Sequence, residues 1–583
     1  MNILSISDVT GNHSHSSVAI LQDGELTFAL SQERISRIKN DSQFPTEAIE
    51  VALDYTGLGL ADIDFFACGY PPSNYYGSLF RHGRFDVLRS FAGTMLRKPL
   101  TLSRYLAPNI KKGLFDPRHS NGLFDMGIPP EKFKFYDHHL AHVSAGYFSS
   151  DFDNALAISY GGFAPHGDGE NVAGAIYLCQ GDSIEHLDDI PMYASGCTFS
   201  GITVALGYRY MVDEGLTMGL AKTADHHNCY DKVRKLMSRY RNGKWRKYDH
   251  WVDYIMSPRT DAFLGTTSAR RLLKLIDRYG AASIAAAAQR IWEKSILRLV
   301  RHYCRHWDVK NLVLTGGTFL NVQINSALAE LEGIKNIYVH PHTGDGSTTI
   351  GAAIEAFREL CGQSLRLNMN DVGLGQTFDD NKIEKTIRRF GSRLSYEEVK
   401  NPSVYAAEQL ANGKIIGWFQ GREEYGPRSL GHRCLLADPR ESSLKYRMTV
   451  DIKKRESWIP IAPSVLAEYG NAYFENFNNN PFMTRVYRAK PAKYDAIKSA
   501  LHNDGTARAQ AVDAHGYKPF RRLLEEFYKR TDMPMLLNSS LNRHGEPVVH
   551  RPEEALEMLL DTPMDELAIG SFVVKKALSS ESG

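Results

Sequence analysis

Phe135-Tyr-Asp-His-His-Leu-Ala-His-Val-Ser144 is the stretch on which the reading of this chain turns. Taken as a helix, it sets His138 and His142 four residues apart on one face. Both imidazoles then reach a single metal ion, while His139 points elsewhere. Imidazole serves zinc, iron and nickel alike, so the pair does not name the metal. Two ligands hold a catalytic ion poorly, and a third is expected from a tight loop. Asp345, in His340-Pro-His-Thr-Gly-Asp-Gly346, is the best candidate. The glycines beside it let the backbone turn sharply and approach a ligand closely. A His-x-x-x-His standing alone is as readily an ordinary core or surface pair, so the other motifs decide.

Towards the N-terminus, Asn2 to Ser7, Ser17 to Leu21 and Leu26 to Leu30 read as strands. Asp8-Val-Thr-Gly-Asn-His-Ser-His15 is a polar turn between the first two, and Asp23-Gly24 joins the next two. A hairpin with a polar first turn is how actin-like ATPase folds begin. The mixed charges of Gln32-Glu-Arg-Ile-Ser-Arg-Ile-Lys-Asn-Asp41 read as a solvated loop, from which Arg34 and Lys39 reach the cleft of that turn. Residues 46–58 read as a helix. Residues 70–125, rich in aromatic and basic side chains, read as a helical insertion shaping a substrate mouth.

Towards the C-terminus, Ala155 to Tyr160 reads as a strand running into a glycine-rich turn, Gly161-Gly-Phe-Ala-Pro-His-Gly-Asp-Gly169, whose N–H groups suit phosphate. Residues 281–304 form the clearest amphipathic helix. It leads into a strand at Asn311 to Leu314 and the turn Thr315-Gly-Gly-Thr-Phe-Leu-Asn321. Another strand ends at Val339, just before Asp345. Ligands gather outside the carboxyl ends of strands in open α/β sheets, which puts these motifs on one side of the sheet. Cys361 to Gly375 reads as a linker, and a second domain follows with a strand at Lys414 to Phe419.

A chain of 583 residues exceeds a single core, so several domains are expected. Its net charge of +2 provides no general polyanion-binding surface, which argues against a nucleic-acid partner. Seven scattered cysteines without a Cys-x-x-Cys fit a reducing compartment. The first residues lack the basic region and apolar core of a signal peptide, and no apolar run is long enough to span a bilayer. The expectation is a soluble cytoplasmic protein with no membrane partner.

The second half carries a set of motifs in order: Gly426-Pro-Arg-Ser-Leu-Gly-His-Arg433, Leu436-Ala-Asp-Pro-Arg440, Ile452-Lys-Lys-Arg-Glu456, Ile461-Ala-Pro-Ser464, Asp504-Gly-Thr-Ala-Arg508 and Leu537-Asn-Ser-Ser-Leu-Asn-Arg-His-Gly-Glu-Pro547. With them the chain resembles, nearly end to end, the O-carbamoyltransferases of antibiotic and nodulation-factor biosynthesis (the tobramycin, cephamycin and NodU type). The resemblance implies an α/β protein with two domains. Residues 1–365 would be an actin-like ATPase (Kae1-like) carbamoyl-transfer domain, and residues 366–583 an α+β, YrdC-like domain that forms carbamoyl adenylate. It implies carbamoyl phosphate, ATP with Mg2+, and a small-molecule hydroxyl acceptor as partners, and Fe(II) or a similar divalent metal as cofactor. A homodimer is compatible with it.

Polyanionic substrates require fixed cations, and Arg428, Arg433, Lys453, Arg455 and Arg508 supply them, arginine being suited to bidentate phosphate contacts. By the resemblance, Asn538, Ser540 and Asn542 complete that site, Gly316, Gly317 and Asn321 form the nucleotide loop, and His138, His142 and Asp345 hold the metal. His138 adjoins the chemistry as a ligand, and His15 and Lys39 are the candidates to take the acceptor's proton. The chain departs from the family at Gly161, where an aspartate ligand is expected, at Leu216 for the lysine of Glu-Gly-Lys, at Asn40 for a histidine, and in the first-turn histidine, shifted to His13 or His15. These departures leave an impaired or non-catalytic homologue as an alternative. A threonylcarbamoyl or hydrogenase-maturation carbamoyl transferase is another, disfavoured by the near-neutral charge, by the missing Cys-x-x-Cys and by a sequence that opens on the first actin-like strand.

Overall fold

The computed structural model describes residues 1–7, 15–70, 128–167, 170–256 and 261–577. The insertion expected over residues 70–125 lies outside them except for Tyr70, and so does the polar turn except for His15. The chain forms two compact units: residues 1–26, 42–46 and 58–367 make the first, and 27–41, 47–57 and 368–583 the second.

The first unit holds two sheets built on one plan. Strands β1 (Asn2–Ile6), β2 (Ser17–Gln22), β3 (Glu25–Ser31, of which the first two residues belong to this unit), β4 (Phe65–Cys68) and β5 (Phe133–Phe135) lie in the order β3-β2-β1-β4-β5. Strands β6 (Asn154–His166), β7 (Glu170–Gln180), β8 (Ser183–Pro191), β9 (Asn311–Thr315) and β10 (Asn336–Val339) lie in the order β10-β9-β6-β7-β8. Counted from its own first strand, each sheet has an antiparallel hairpin side and a parallel side in the same sequence. That repeated order is the duplicated actin-like arrangement expected from the N-terminal hairpin. Buried Ile3, Leu4 and Ile6 line β1, and Leu156, Ile158 and Tyr160 line β6.

The glycine-rich stretch after Tyr160 corrects the sequence reading. It is no turn: β6 continues through Gly161 and Gly162 to His166, with a register shift between Tyr160 and Ala164. Glycine tolerates the irregular backbone of such a bulge, and the long partner strand β7 carries the pairing past it.

Three helices position the first unit's motifs: α1 (His138–Phe148), α2 (Ala281–Trp307) and α3 (Gly346–Cys361). The stretch quoted at the outset is helical only from His138, because Phe135 ends β5 and Asp137 caps α1. Helices α1 and α3 touch backbone to backbone, since a Cβ built on Gly351 would lie 1.7 Å from the Ala141 carbonyl oxygen. On its other side α1 sits against β9, where a Cβ on Gly146 would meet the Thr315 methyl at 2.6 Å.

The second unit is an eight-stranded mixed sheet with helices on both faces, an α+β arrangement. Its strands are β11 (Leu394–Glu398), β12 (Ile416–Phe419), β13 (Arg433–Ala437), β14 (Ala462–Leu466), β15 (Gln510–Val512), β16 (Met535–Ser540), β17 (Glu566–Ile569) and β18 (Phe572–Lys576). They lie in the order β11-β18-β17-β12-β13-β16-β14-β15. Side chains alternate across it as a period of two requires. Trp418, Cys434 and Leu436 pack with the helices Pro402–Ala411 and Lys518–Thr531, while Phe419, Leu435 and Ala437 pack with Asp380–Arg389 and Pro552–Asp561.

Residues 32–41 are a second correction. Their mixed charges read as a solvated loop, yet Gln32–Ser36 is a helix whose Gln32, Glu33 and Arg34 are buried in the second unit. Arg34 donates to the carbonyls of Glu424 (3.3 Å) and Gly426 (2.9 Å), and Arg37 to those of Val548 (2.7 Å) and Pro547 (2.8 Å). The buried Glu423 carboxylate lies 3.9 Å from Arg34 and 2.5 Å from His550 Nδ1. Charge balance in that core therefore draws the segment in.

Two substitutions test the packing. Gly351→Ala forces α1 and α3 apart and is expected to lower stability by about 1–3 kcal/mol, the usual cost of overpacking. Gly215→Ala, where nothing lies within 4 Å of the added carbon, is the control and leaves the denaturant midpoint unchanged or higher.

Candidate functional site

The first site begins with one carboxylate. Asp137 Oδ1 accepts from the Leu140 amide at 2.9 Å and caps α1, while Oδ2 takes the Nδ1 proton of His166 at 2.8 Å. Burial alone would raise this carboxyl, but the His166 hydrogen bond, the neighbouring imidazoles and the Leu140 amide bring it down to about 2. The cap fixes where α1 starts and so where its first turn presents His138 and His142.

Each imidazole is then oriented by a hydrogen bond on its far nitrogen. His138 Nδ1 lies 3.2 Å from the Gly69 carbonyl oxygen, which only accepts, so Nδ1 carries the proton. His142 Nδ1 lies 2.7 Å from Ser347 Oγ, whose own proton goes to the Gly344 carbonyl at 3.1 Å. Both rings therefore turn Nε2 towards Asp345, at 4.0 Å and 3.7 Å from Oδ1. The ring centroids are 4.6 Å apart. Two imidazole nitrogens and a carboxylate, each braced from behind, are the donor set of a transition-metal site. His139, expected to point away, does so: it is buried, 2.9 Å from Ser159 Oγ, and burial lowers it to about 3. His340 is likewise pushed down to about 3 by burial.

The loop after β9 lies beside β6. A Cβ on Gly316, at φ +90°, would lie 2.5 Å from the Tyr160 carbonyl oxygen, so no other residue fits. Gly317 has open space around it. Asn321 accepts from the amides of Gln323 and Ile324, capping the helix Val322–Ala329, and exchanges two hydrogen bonds with Gln289 at 3.1 and 2.8 Å. Its side chain thus shapes the loop. A Cβ on Gly161 would sit 3.5 Å from the Gly317 amide, an ordinary contact. His15, at φ +70°, lies edge-on to His342 at 5.8 Å and beside Gly344, on the Asp345 loop. Lys39 belongs with the second unit, where its Nζ pairs with the Glu33 carboxylate at 2.8 and 3.0 Å.

The second site gathers cations. Lys453 Nζ donates to the Ser540 carbonyl (2.6 Å), Ser540 Oγ (3.2 Å) and Asn542 Oδ1 (2.6 Å). Arg455 donates to His544 Nδ1 at 3.2 Å. Arg428 and Arg508 have neither a hydrogen-bonded nor an ion-paired partner among the described residues. Burial pushes Arg428 down to about 10. It depresses Arg508 further, aided by the charges of Arg428 and Arg455. Lys453 falls for the same reason, with Arg455 and Lys39 adding and Glu546 opposing. Nearby, the buried Asn538 Oδ1 and Ser429 Oγ have no hydrogen-bond partner among the described residues, while Asn538 Nδ2 donates to the Ser429 carbonyl (3.1 Å) and Ser464 Oγ (2.9 Å).

Arg433 does not join this group. It is fully buried, stacks on Phe419 at 3.7 Å and donates to the carbonyls of Gln420 (2.8 Å) and Gly421 (3.0 Å). Its nearest charges are those of Glu423, Glu424 and Arg34. Its guanidinium is committed to the fold, which corrects its expected place among the phosphate-facing cations.

The carbamoyltransferase N-terminus family matches residues 3–354, and the carbamoyltransferase C-terminus family matches residues 407–576. The chain belongs to the carbamoyltransferase family. It is 30% identical to nodulation protein NolNO of Sinorhizobium fredii, over 98% of this chain and 81% of that one. It is 31% identical to nodulation protein NolO of Bradyrhizobium diazoefficiens, over 76% and 79%. The 3'-hydroxymethylcephem-O-carbamoyltransferase of Amycolatopsis lactamdurans is 30% identical over 46% of this chain and 49% of its own. No described helix of this carbamoyltransferase is long and apolar enough to cross a membrane.

Sequence reading missed Asp137 and Ser347 as supports of the first site, and sent Arg34 to the cleft of the polar turn rather than to the Glu424 and Gly426 carbonyls. An aspartate directly before an apolar-periodic run is a helix-cap signal, so Asp137 was within reach. Ser347 and Arg34 have no local signature, because their partners lie 205 and 392 residues away.

Asp137→Ala removes the cap and is expected to cost about 0.5–2 kcal/mol by chemical denaturation, with Asp137→Asn losing less. Arg34→Ala removes one of the cations facing Glu423, with His550 and Arg433 remaining, together with two hydrogen bonds to main-chain carbonyls, and a loss of about 1–3 kcal/mol is expected in the same measurement.

Proposed function

We propose that this carbamoyltransferase is ATP-dependent and moves the carbamoyl group of carbamoyl phosphate, through carbamoyl adenylate, to a hydroxyl of a small-molecule natural product. The observation that carries the reading is the pair Arg428 and Arg508, two half-buried guanidiniums with no acidic partner among the described residues, beside Arg455 and Lys453. Such a cluster repels itself unless a polyanion occupies it. Carbamoyl phosphate and ATP are polyanions: water splits carbamoyl phosphate to carbamate and phosphate, a carbamate oxygen then bonds to the α-phosphorus of ATP as the bond to pyrophosphate breaks, and the cluster stabilises the charge that develops on both leaving groups. Mg2+ would accompany ATP there. Lys453, held by Ser540 and Asn542, is positioned as a fixed donor.

In the first unit, His138, His142 and Asp345 would hold Fe(II) or a similar divalent metal, and their donor set fits one. When bound, the metal supplies a Lewis acid for the carbamoyl carbonyl. The residues themselves orient: Gly69 and Ser347 fix the two imidazole tautomers, and Gly316 lets the nucleotide loop lie against Tyr160. His15, beside the Asp345 loop, is the nearer candidate to accept the hydroxyl proton. Lys39, ion-paired to Glu33 and next to Lys453, fits the phosphate side better. The acceptor hydroxyl is supported by the relative named 3'-hydroxymethylcephem-O-carbamoyltransferase.

A second reading, an impaired homologue, rests on Gly161. A Cβ at that position meets only the Gly317 amide, at 3.5 Å, so the question is open to repair.

The test follows carbamoyl phosphate-dependent turnover of ATP to AMP and pyrophosphate, with iron content, in the protein supplied with iron(II) and in Gly161→Asp. Turnover with bound iron in the unaltered protein is the expected result. Arg508→Ala is expected to lower turnover at least tenfold. Turnover without iron, with iron restored by Gly161→Asp, selects the impaired reading. Absence of turnover in both proteins sinks the adenylation claim.

A further inference from the structure

A second cluster of metal-type donors stands on the outer hairpin of the first unit. His166 lies near the end of β6, and His186 and Asp189 lie on β8. One ligand atom from each lies within 4.8 Å of the other two. The two imidazole rings are 4.6 Å apart, and both lie over Tyr177 of the intervening strand β7, at 6.1 and 5.4 Å.

The backbone is bent to make this group. Residues three apart on a regular strand point to opposite faces, which would separate His186 from Asp189. The register of β8 slips between them: Tyr177 faces His186, while Ile176 faces Asp188, so Leu187 is an extra residue. The bulge turns Asp189 back to the face of His186, a recognised use of bulges.

The protons are also placed. Asp137 accepts from His166 Nδ1 at 2.8 Å, so the neutral ring carries its lone pair on Nε2. That Nε2 lies 3.5 Å from Asp189 Oδ1, and His186 Nε2 lies 2.9 Å from the same oxygen. Two imidazole nitrogens thus converge on one carboxylate oxygen. A cation among the three would take a lone pair from each. Asp137 behind His166 is the carboxylate–histidine–metal relay that fixes a ligand's tautomer and raises its basicity.

We propose that His166, His186 and Asp189 form a second divalent-metal site of the zinc class, distinct from the one at His138, His142 and Asp345. Two imidazoles and one carboxylate suit zinc-type ions. The outer coordination positions face solvent, with His186 41% and Asp189 40% exposed. The site is structural. It clips β6 to β8, and through Asp137 it braces the cap of α1.

The experiment is equilibrium dialysis of the metal-stripped full chain against zinc chloride, with zinc per chain read by elemental analysis. The proteins are the unaltered chain, His186→Ala, Asp189→Asn, His142→Ala and the double variant His142→Ala with His186→Ala. His186→Ala and Asp189→Asn are each expected to lose one equivalent of zinc, whether or not the His142 background binds any. Zinc is also expected to raise the melting temperature of His142→Ala but not of the double variant. Unchanged zinc content in both His186→Ala and Asp189→Asn overturns the proposal and leaves a protonated histidine–aspartate pair in its place. Asp189→Asn, nearly isosteric and half-exposed, keeps the test decisive if His186→Ala folds poorly. Because the readout is zinc lost with His186 or Asp189, it stands apart from the fate of the catalytic reading.

Discussion

Helices α1 and α3 meet where Gly351 presents no side chain to the Ala141 carbonyl, and the geometry of the first site depends on that contact. The helix on one side carries His138 and His142. The helix on the other begins immediately after Asp345 and carries Ser347, which holds His142. Both helices are buried at their crossing, so neither can slide to reposition a ligand without opening a gap or a clash. Three donor atoms that come from positions some 200 residues apart in sequence are thereby set within 4.8 Å of one another. A backbone contact, rather than any hydrogen bond between the ligands, does the assembling.

The two sites are electrostatic opposites, and each is consistent within itself. In the first unit, donors with lone pairs converge and the protons are directed outward to a carbonyl and a hydroxyl. In the second, guanidiniums and an ammonium converge. The arginines show that residue type alone does not assign a role. Arg433 and Arg428 lie five positions apart in one motif. Arg433 spends its donors on main-chain carbonyls and its face on Phe419, whereas Arg428 has no such partners. Burial lowers the pKa of both, but for Arg428 no described residue offsets the charge.

The fold was largely legible. Hairpin spacing, the long amphipathic helix and the Gly-Gly turn after a strand are local signals, and they placed β1, β2, α2, β9 and Gly316 correctly. The His-x-x-x-His and the glycine-flanked Asp345 were readable because helix periodicity and turn chemistry are local too. What failed depended on distant partners. The glycines after Tyr160 look like a turn until β7 pairs with them. Residues 32–41 look solvated because their charges are visible in the sequence and their buried counterparts, near residues 423 and 547, are not. Asn321 was placed near chemistry by the resemblance and Lys39 by position, and their hydrogen bonds show what else they do: one caps and braces a loop, the other neutralises Glu33.

The division of the chain, with residues 27–41 and 47–57 belonging to the second unit, has a consequence for biosynthesis. On the ribosome this segment emerges among the first residues made, yet Arg34 must wait for carbonyls 390 and 392 residues downstream. The first unit can assemble its sheets while translation continues. The second cannot complete its charged core until both ends of the polypeptide are available, and contacts of such separation form late and slowly. During that interval Gln32, Glu33 and Arg34 are exposed on the nascent chain. Vectorial synthesis therefore leaves the second unit as the last part to mature, and makes the start of the gene a determinant of whether its end folds.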